Sequence, residues 1–359
     1  MLASWGKPSP KDAFMNLWRP LPPRDSSVAV FAVLDSLNTL LEDKSETIQI
    51  AAARLAGKLS IKTIGASLYD LTTNSKRGVG PRLEALKALA EMKDSNLLPA
   101  IKKSLESNQS RLRQEGLNLL ANFNPAVALP LIASTLERPD IPEKQNALSI
   151  LKKMKEPTAD ALKAEWMRRF LGGQADPEIE LDIIEAAKAS SDSGVKDLLQ
   201  RYQNSLPQGN ELAPFAVAMH GGSADQGRRI FFENATAQCV RCHKINGYGG
   251  DVGPDLKGIA SKKDRAYLLE SIVAPSAQIA EGFETAFVRL EDGRVLTGTI
   301  RKEDEESLVL VGADTKAVTI KKDEIKVRRS QKISTMPVMA ETLTKLEIRN
   351  LLEYLSNLK

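Results

Sequence analysis

From residue 28 to about 205 the apolar positions recur at steps of three and four, which predicts a run of amphipathic helices. Three stretches superpose when set one beneath another: Leu83–Leu89, Gln114–Leu120 and Gln145–Leu151. Ala85, Gly116 and Ala147 then share a column. So do Leu86, Leu117 and Leu148, then Leu89, Leu120 and Leu151, then Met92, Phe123 and Met154, each 31 positions after the last. The next helices keep the step for two units, with Leu98 over Leu129, Pro99 over Pro130, Ile101 over Ile132 and Leu105 over Leu136. A helix pair whose apolar stripe returns at a fixed step cannot bury that stripe alone and must stack on its neighbours. The expectation is an α-solenoid over 28–205, with 45–60 and 177–190 as weaker terminal units. The small residue in each unit allows close helix approach.

The pattern changes twice. Ser205–Gly222 is broken by Pro207, Gly209, Pro214, Gly221 and Gly222, which places a linker at 206–222. Residues 1–27, with Pro20, Pro22 and Pro23, read as an irregular lead-in. Helical periodicity returns at Ala224–Phe232 and at Leu343–Leu358. Between them the period drops to two: Phe283–Leu290 and Arg294–Ile300 flank an Asp292-Gly293 turn, a strong hairpin signal. Ser307–Val311, Ala317–Ile320 and Ile325–Arg328 add short strands. The chain is therefore expected to be mainly α, with a small antiparallel β insertion at about 283–330 inside a second helical domain, 223–359.

Charge excludes more than it suggests. The formal net charge is +4 over 359 residues, with no concentrated basic stripe, so nucleic acid is not an expected partner. The most apolar stretch, Val28–Leu41, is cut by Asp35 and too short for a membrane span. Residues 1–27 hold no apolar core of a secretory signal. Glu303–Glu306 reads as a solvated hairpin tip. Lys321, Lys322, Lys326, Arg328, Arg329 and Lys332 read as a solvated face before a steering patch for an acidic redox partner. The sequence contains no P-loop, no dinucleotide fingerprint and no nucleophile–His–acid set.

The chemistry is concentrated in one short motif. The only two cysteines stand three apart, and one of the only two histidines follows them: Cys239-Val240-Arg241-Cys242-His243. Two thiols at this spacing can add across the two vinyl groups of one haem, leaving the imidazole beneath the iron. A thioredoxin-like redox pair would need a βαβ context, and a structural zinc would need a fourth donor, for which only His220 remains. An iron-bound histidine donates its other N–H to a carbonyl or carboxylate, and the Pro254 backbone is positioned for that role. The sixth ligand is expected at Met336, followed directly by Pro337, with Met339 as the alternative. Upstream, Gly227 and Phe231 share a helical face suited to a close crossing with the final helix, at Leu351, Tyr354 and Leu355.

These motifs also carry a resemblance. G-x-x-x-F ahead of C-x-x-C-H, then Gly253-Pro254-Asp255-Leu256, then Met336-Pro337 before a last helix resembles a class I cytochrome c. Tyr267–Ile272 with Pro275-Ser276, and Gly293–Gly298, resemble more narrowly the Planctomycetes-type haem-binding domain, over about 221–359. Val338-Met339 departs from the Gly-Leu usual in that family after Met-Pro. The helical region is similar to HEAT repeats, with a unit shorter than usual.

The resemblance implies covalent haem c with its iron, single-electron transfer, and a β insertion between the haem motif and the axial Met. It also implies helical repeats preceded by a propeller resembling sugar dehydrogenases. The expected partner is thus a redox protein or fused dehydrogenase, with the solenoid docking protein and the chain itself no enzyme. Haem attachment of this type implies a periplasmic or otherwise exported location, with the export signal on a longer chain of which this is part. Two other readings stay open: a helical-repeat scaffold with a structural or gas-sensing haem, and, further off, a peroxidase-like site needing an open distal face.

Overall fold

A computed structural model describes residues 11, 15–18, 25–312 and 314–359; Pro20, Pro22 and Pro23 of the lead-in lie outside them. The chain is mostly helical with one small β region, and it divides into two compact units at Met154 and Lys155.

Among the described residues of the first unit eight α-helices follow one another: α1 (Ser26–Leu41), α2 (Glu46–Leu59), α3 (Gly65–Thr73), α4 (Val79–Met92), α5 (Leu97–Leu105), α6 (Ser110–Phe123), α7 (Pro125–Leu136) and α8 (Ile141–Lys153). Asp25, Asn124 and Asp140 cap three of them through side-chain acceptors, and Pro125 and Pro142 occupy first-turn positions where no N–H is needed. The repeated leucines Leu86, Leu117 and Leu148 are buried, as are Leu89, Leu120 and Leu151. Helices α2, α4, α6 and α8 pack in succession. The fourth column differs. Met92 and Met154 are buried but Phe123 is 60% exposed. α6 runs through Phe123 and hands over to α7 across Asn124 alone, whereas four residues separate α4 from α5. That tight corner leaves the Phe123 ring at the surface.

The second unit opens with α9 (Pro157–Leu171), α10 (Glu180–Lys188) and α11 (Ser193–Ser205). A 3-10 turn at Ala213–Ala218 follows, burying Val217 and Ala218. Then come α12 (Ala224–Glu233), the single turn α13 (Cys239–Cys242), a two-residue hairpin of β1 (Lys244–Ile245) and β2 (Tyr248–Gly249), α14 (Arg265–Val273), and after the sheet α15 (Lys345–Leu355). α12 and α15 cross with no room for a side chain at Gly227, where an added Cβ would lie 1.9 Å from the Asn350 carbonyl oxygen. Phe231, one turn on, is 2% exposed beside Tyr354. Around this crossing Leu268, Ile272, Met339, Ile348, Leu351 and Leu352 form the core.

The β insertion is a five-stranded antiparallel sheet: β3 (Glu284–Leu290), β4 (Val295–Glu303), β5 (Ser307–Val311), β6 (Ala317–Lys321) and β7 (Ile325–Ser334), in the order β6-β5-β4-β3-β7. Its own small core is Ala286, Val288, Leu290, Leu308, Leu310 and Ile320. The alternation seen in the sequence corresponds to one buried face, as a half-covered sheet requires. β7 runs straight into the Met336 segment.

Candidate functional site

The Cys239–Cys242 segment is one helical turn, which sets the two sulfur-bearing side chains one above the other. Asn234 prepares that turn: its side-chain oxygen accepts from the N–H groups of Thr236 and Ala237, both at 2.9 Å. Beyond it the chain folds back on the motif through backbone bonds, Gly250 N–H to Val240 O at 3.0 Å and Gly253 N–H to Cys242 O at 2.8 Å. Gly253 lies so close under the ring that a Cβ there would be 2.6 Å from His243 Cε1. This wrap brings the Pro254 carbonyl 2.9 Å from His243 Nδ1. A proline carbonyl can only accept, so Nδ1 carries the proton and Nε2 is left as the free lone pair.

Burial lowers the His243 pKa, with the Pro254 bond opposing in part, which keeps the ring neutral as a metal ligand must be. Burial also pushes the Cys239 thiol up to about 11 and raises Cys242. These are protonated thiols, unlike the low-pKa thiolates of redox CxxC pairs.

Cys239, Cys242, His243, Pro254, Met336 and Met339 all line one cavity of about 480 Å³. Its walls are mostly apolar, with Leu256, Ile259, Leu268, Ile272 and Pro275. The two methionines differ in setting. Met339 is 5% exposed within the core, and its carbonyl accepts from Thr342 and Leu343 at the entry to α15. Met336 is half-buried on the edge of that core, its N–H donating to Ser334 Oγ at 3.1 Å. His220 is exposed and does not line the cavity.

Residues 224–292 match the family model Cytochrome c. This is a c-type cytochrome domain. A domain of this kind carries covalently bound haem c with its iron, in an electron-transfer role. The cytochrome match takes in the C-x-x-C-H motif and Pro254 and ends ahead of Met336. No curated protein matches the chain.

The cavity fits that group on its own chemistry. A neutral imidazole with one free nitrogen, two protonated thiols on one helical turn and a thioether occupy a space of small-molecule size with apolar walls. Among the described residues no three His, Cys, Asp or Glu side chains gather as a metal-ion ligand set, short of the four donors a structural zinc takes.

The cavity also takes in Phe283, Lys263 and Arg241, to which the sequence assigns no role in the site, and Tyr267 of the Tyr267–Ile272 motif. Phe283 forms part of the wall and carries the Arg301 guanidinium over its ring at 4.5 Å. Lys263 lies over the Tyr267 ring at 3.9 Å, and both line the cavity. Arg241, inside the haem motif, donates to the Asp314 carbonyl at 3.2 Å and so ties the β5–β6 loop to the motif. No local periodicity marks the contacts of Arg301 with Phe283 or of Arg241 with the Asp314 carbonyl, which join residues far apart in sequence.

Proposed function

We propose that the chain is an electron-transfer module that takes electrons from a periplasmic or otherwise exported dehydrogenase, fused or separate, and passes them to a redox partner. The observation that carries this reading is the convergence of Cys239, Cys242, His243 and Met336 on a single cavity. When bound, the haem supplies a one-electron iron couple. The protein's part is positional. Cys239 and Cys242 fix the cofactor by thioether bonds, and His243, oriented by Pro254, offers Nε2 to the iron. Met336 offers the sixth ligand, while Met339 belongs to the core. A His/Met pair raises the reduction potential and closes the iron to outside ligands. The apolar walls keep water away and reduce the reorganisation that accompanies a change of charge.

The helices of the first unit support a HEAT-like repeat that docks a partner protein, and the sheet within the haem domain supports the Planctomycetes-type assignment. A potentiometric titration of the matured chain tests the reading. One reversible one-electron transition, with an iron that ignores added carbon monoxide, is expected. An iron that binds the gas avidly contradicts it and favours a gas-sensing scaffold.

A further inference from the structure

We propose that Thr285 is a positioning residue for the sixth ligand, and that the β insertion acts through it to set where Met336 meets the cavity. The inference rests on the reading of Met336 as that ligand.

The ladder between β3 and β7 is irregular at its last rung. Glu284 pairs with Ser334 and the next residue, Thr285, pairs with Gln331, so Lys332 and Ile333 are extra residues on β7 with no counterpart on β3. Such a bulge re-aims the chain that leaves it. Apolar burial does not hold it, since Lys332 is exposed and Ile333 is 56% exposed.

Three hydroxyl bonds restrain it instead. Buried Thr285 donates from Oγ1 to the Ile333 carbonyl at 2.6 Å. Ser334 N–H donates to Ser276 Oγ at 3.1 Å, beside the cavity-lining Pro275. Met336 N–H donates to Ser334 Oγ, again at 3.1 Å. The path runs from the sheet to the methionine without a gap.

The geometry sets the size of the effect. If the bulge relaxes and β7 pairs on in register, two residues are taken up by the ladder, and at ~3.3 Å each the Met336 backbone moves by about 7 Å along β3. That distance takes the thioether out of reach of an iron held at His243. The Thr285 hydroxyl therefore biases the chain toward a closed sixth position.

The neighbouring Thr299 supplies a control. It pairs with Thr285 across β3 and β4 and is fully buried, and its hydroxyl finds no hydrogen-bond partner among the described residues. Removing that hydroxyl disturbs the same rung of the sheet without touching the bulge.

The test uses the full-length chain matured with haem, in the variants Thr285→Val, Thr285→Ser, Thr299→Val and Met336→Ala. The red absorption band of ferric iron bound to methionine sulfur is recorded, together with the affinity for added imidazole. Thr285→Val is expected to weaken the band and raise imidazole affinity about tenfold, the scale of one net hydrogen bond. Thr285→Ser is expected to restore both, and Thr299→Val to leave both unchanged. If Thr285→Val keeps band and affinity while Met336→Ala loses the band, the positioning role is overturned and the Met336 reading stands. If Thr285→Val and Thr299→Val lose the band alike, the effect belongs to the sheet as a whole and the specific role is overturned. If Met336→Ala keeps the band, the ligand reading itself fails.

Discussion

The imidazole of His243 donates from Nδ1 to the carbonyl of Pro254 at 2.9 Å, across a loop that closes back on its own haem motif. One bond thus fixes the tautomer, the ring plane and the nitrogen left for the iron. The space beneath the ring is as closely set as the bond, because Gly253 would place a Cβ 2.6 Å from Cε1. Gly253→Ala is expected to tilt the ring and cost about 1–3 kcal/mol, as overpacking does. Thermal melting of the matured protein, with the low-spin haem spectrum followed alongside, reads both effects.

Gly227 is under a harder restraint. A Cβ there would stand 1.9 Å from the Asn350 carbonyl oxygen and 2.6 Å from Tyr354 Cβ. Backbone cannot yield as a side-chain tip can, so Gly227→Ala is expected to push α12 from α15 and destabilise the domain by about 3 kcal/mol. Urea unfolding monitored by tryptophan-independent far-UV signal measures it. A loss below the error of the extrapolation contradicts the close crossing.

Arg349 of α15 grips Asp182 of α10 through both terminal nitrogens, at 2.5 and 3.2 Å, with little of either side chain exposed. Burial raises the Asp182 pKa more than Arg349 lowers it. Arg349→Met would leave a buried carboxylate unpaired, a loss of about 3–5 kcal/mol at neutral pH. The variant's penalty should shrink as pH falls, because the stranded carboxyl then takes up a proton and ceases to be a buried charge. Asp182→Asn in the same chain should recover part of the loss. Unfolding curves at neutral and mildly acidic pH check both statements.

Much of this arrangement was open to reading in the sequence, for identifiable reasons. The 31-residue step shows because stacked helices bury the same columns, Leu86, Leu117 and Leu148 among them. The hairpin at Asp292-Gly293 shows because turn chemistry and period-two alternation agree. The site motif shows because both thiols and an imidazole lie within five consecutive residues. Other features depend on which distant segments meet. Nothing local to Arg349 points to Asp182, or Thr285 to Ile333, or Arg241 to the Asp314 carbonyl. Phe123 keeps the column of Met92 and Met154 in sequence yet is exposed, because the length of the corner after α6 decides its fate.

Acid should loosen the β insertion in a defined window. Hydrogen bonds from Arg328 and Lys322 hold the Glu303 carboxyl down to about 2, against an ordinary 4.5. The folded sheet therefore favours the carboxylate. The stability this lends is complete above the ordinary value and is lost as pH falls from about 4.5 toward 2. Glu303 lies near the surface, so its worth is under about 1 kcal/mol. Glu303→Gln should flatten the acid limb of a pH–melting curve and leave the neutral limb nearly where it was.

Haem held by Cys239 and Cys242 through thioether bonds stays with the chain when the protein is unfolded. The most direct measurement is the intact mass of the chain matured with c-type attachment machinery, taken after acid–acetone extraction. One added haem mass is expected in the wild type, with retention lost in the Cys239→Ala, Cys242→Ala double variant. A wild-type chain that yields all its haem to the solvent, and behaves as the double variant does, contradicts covalent attachment at Cys239 and Cys242.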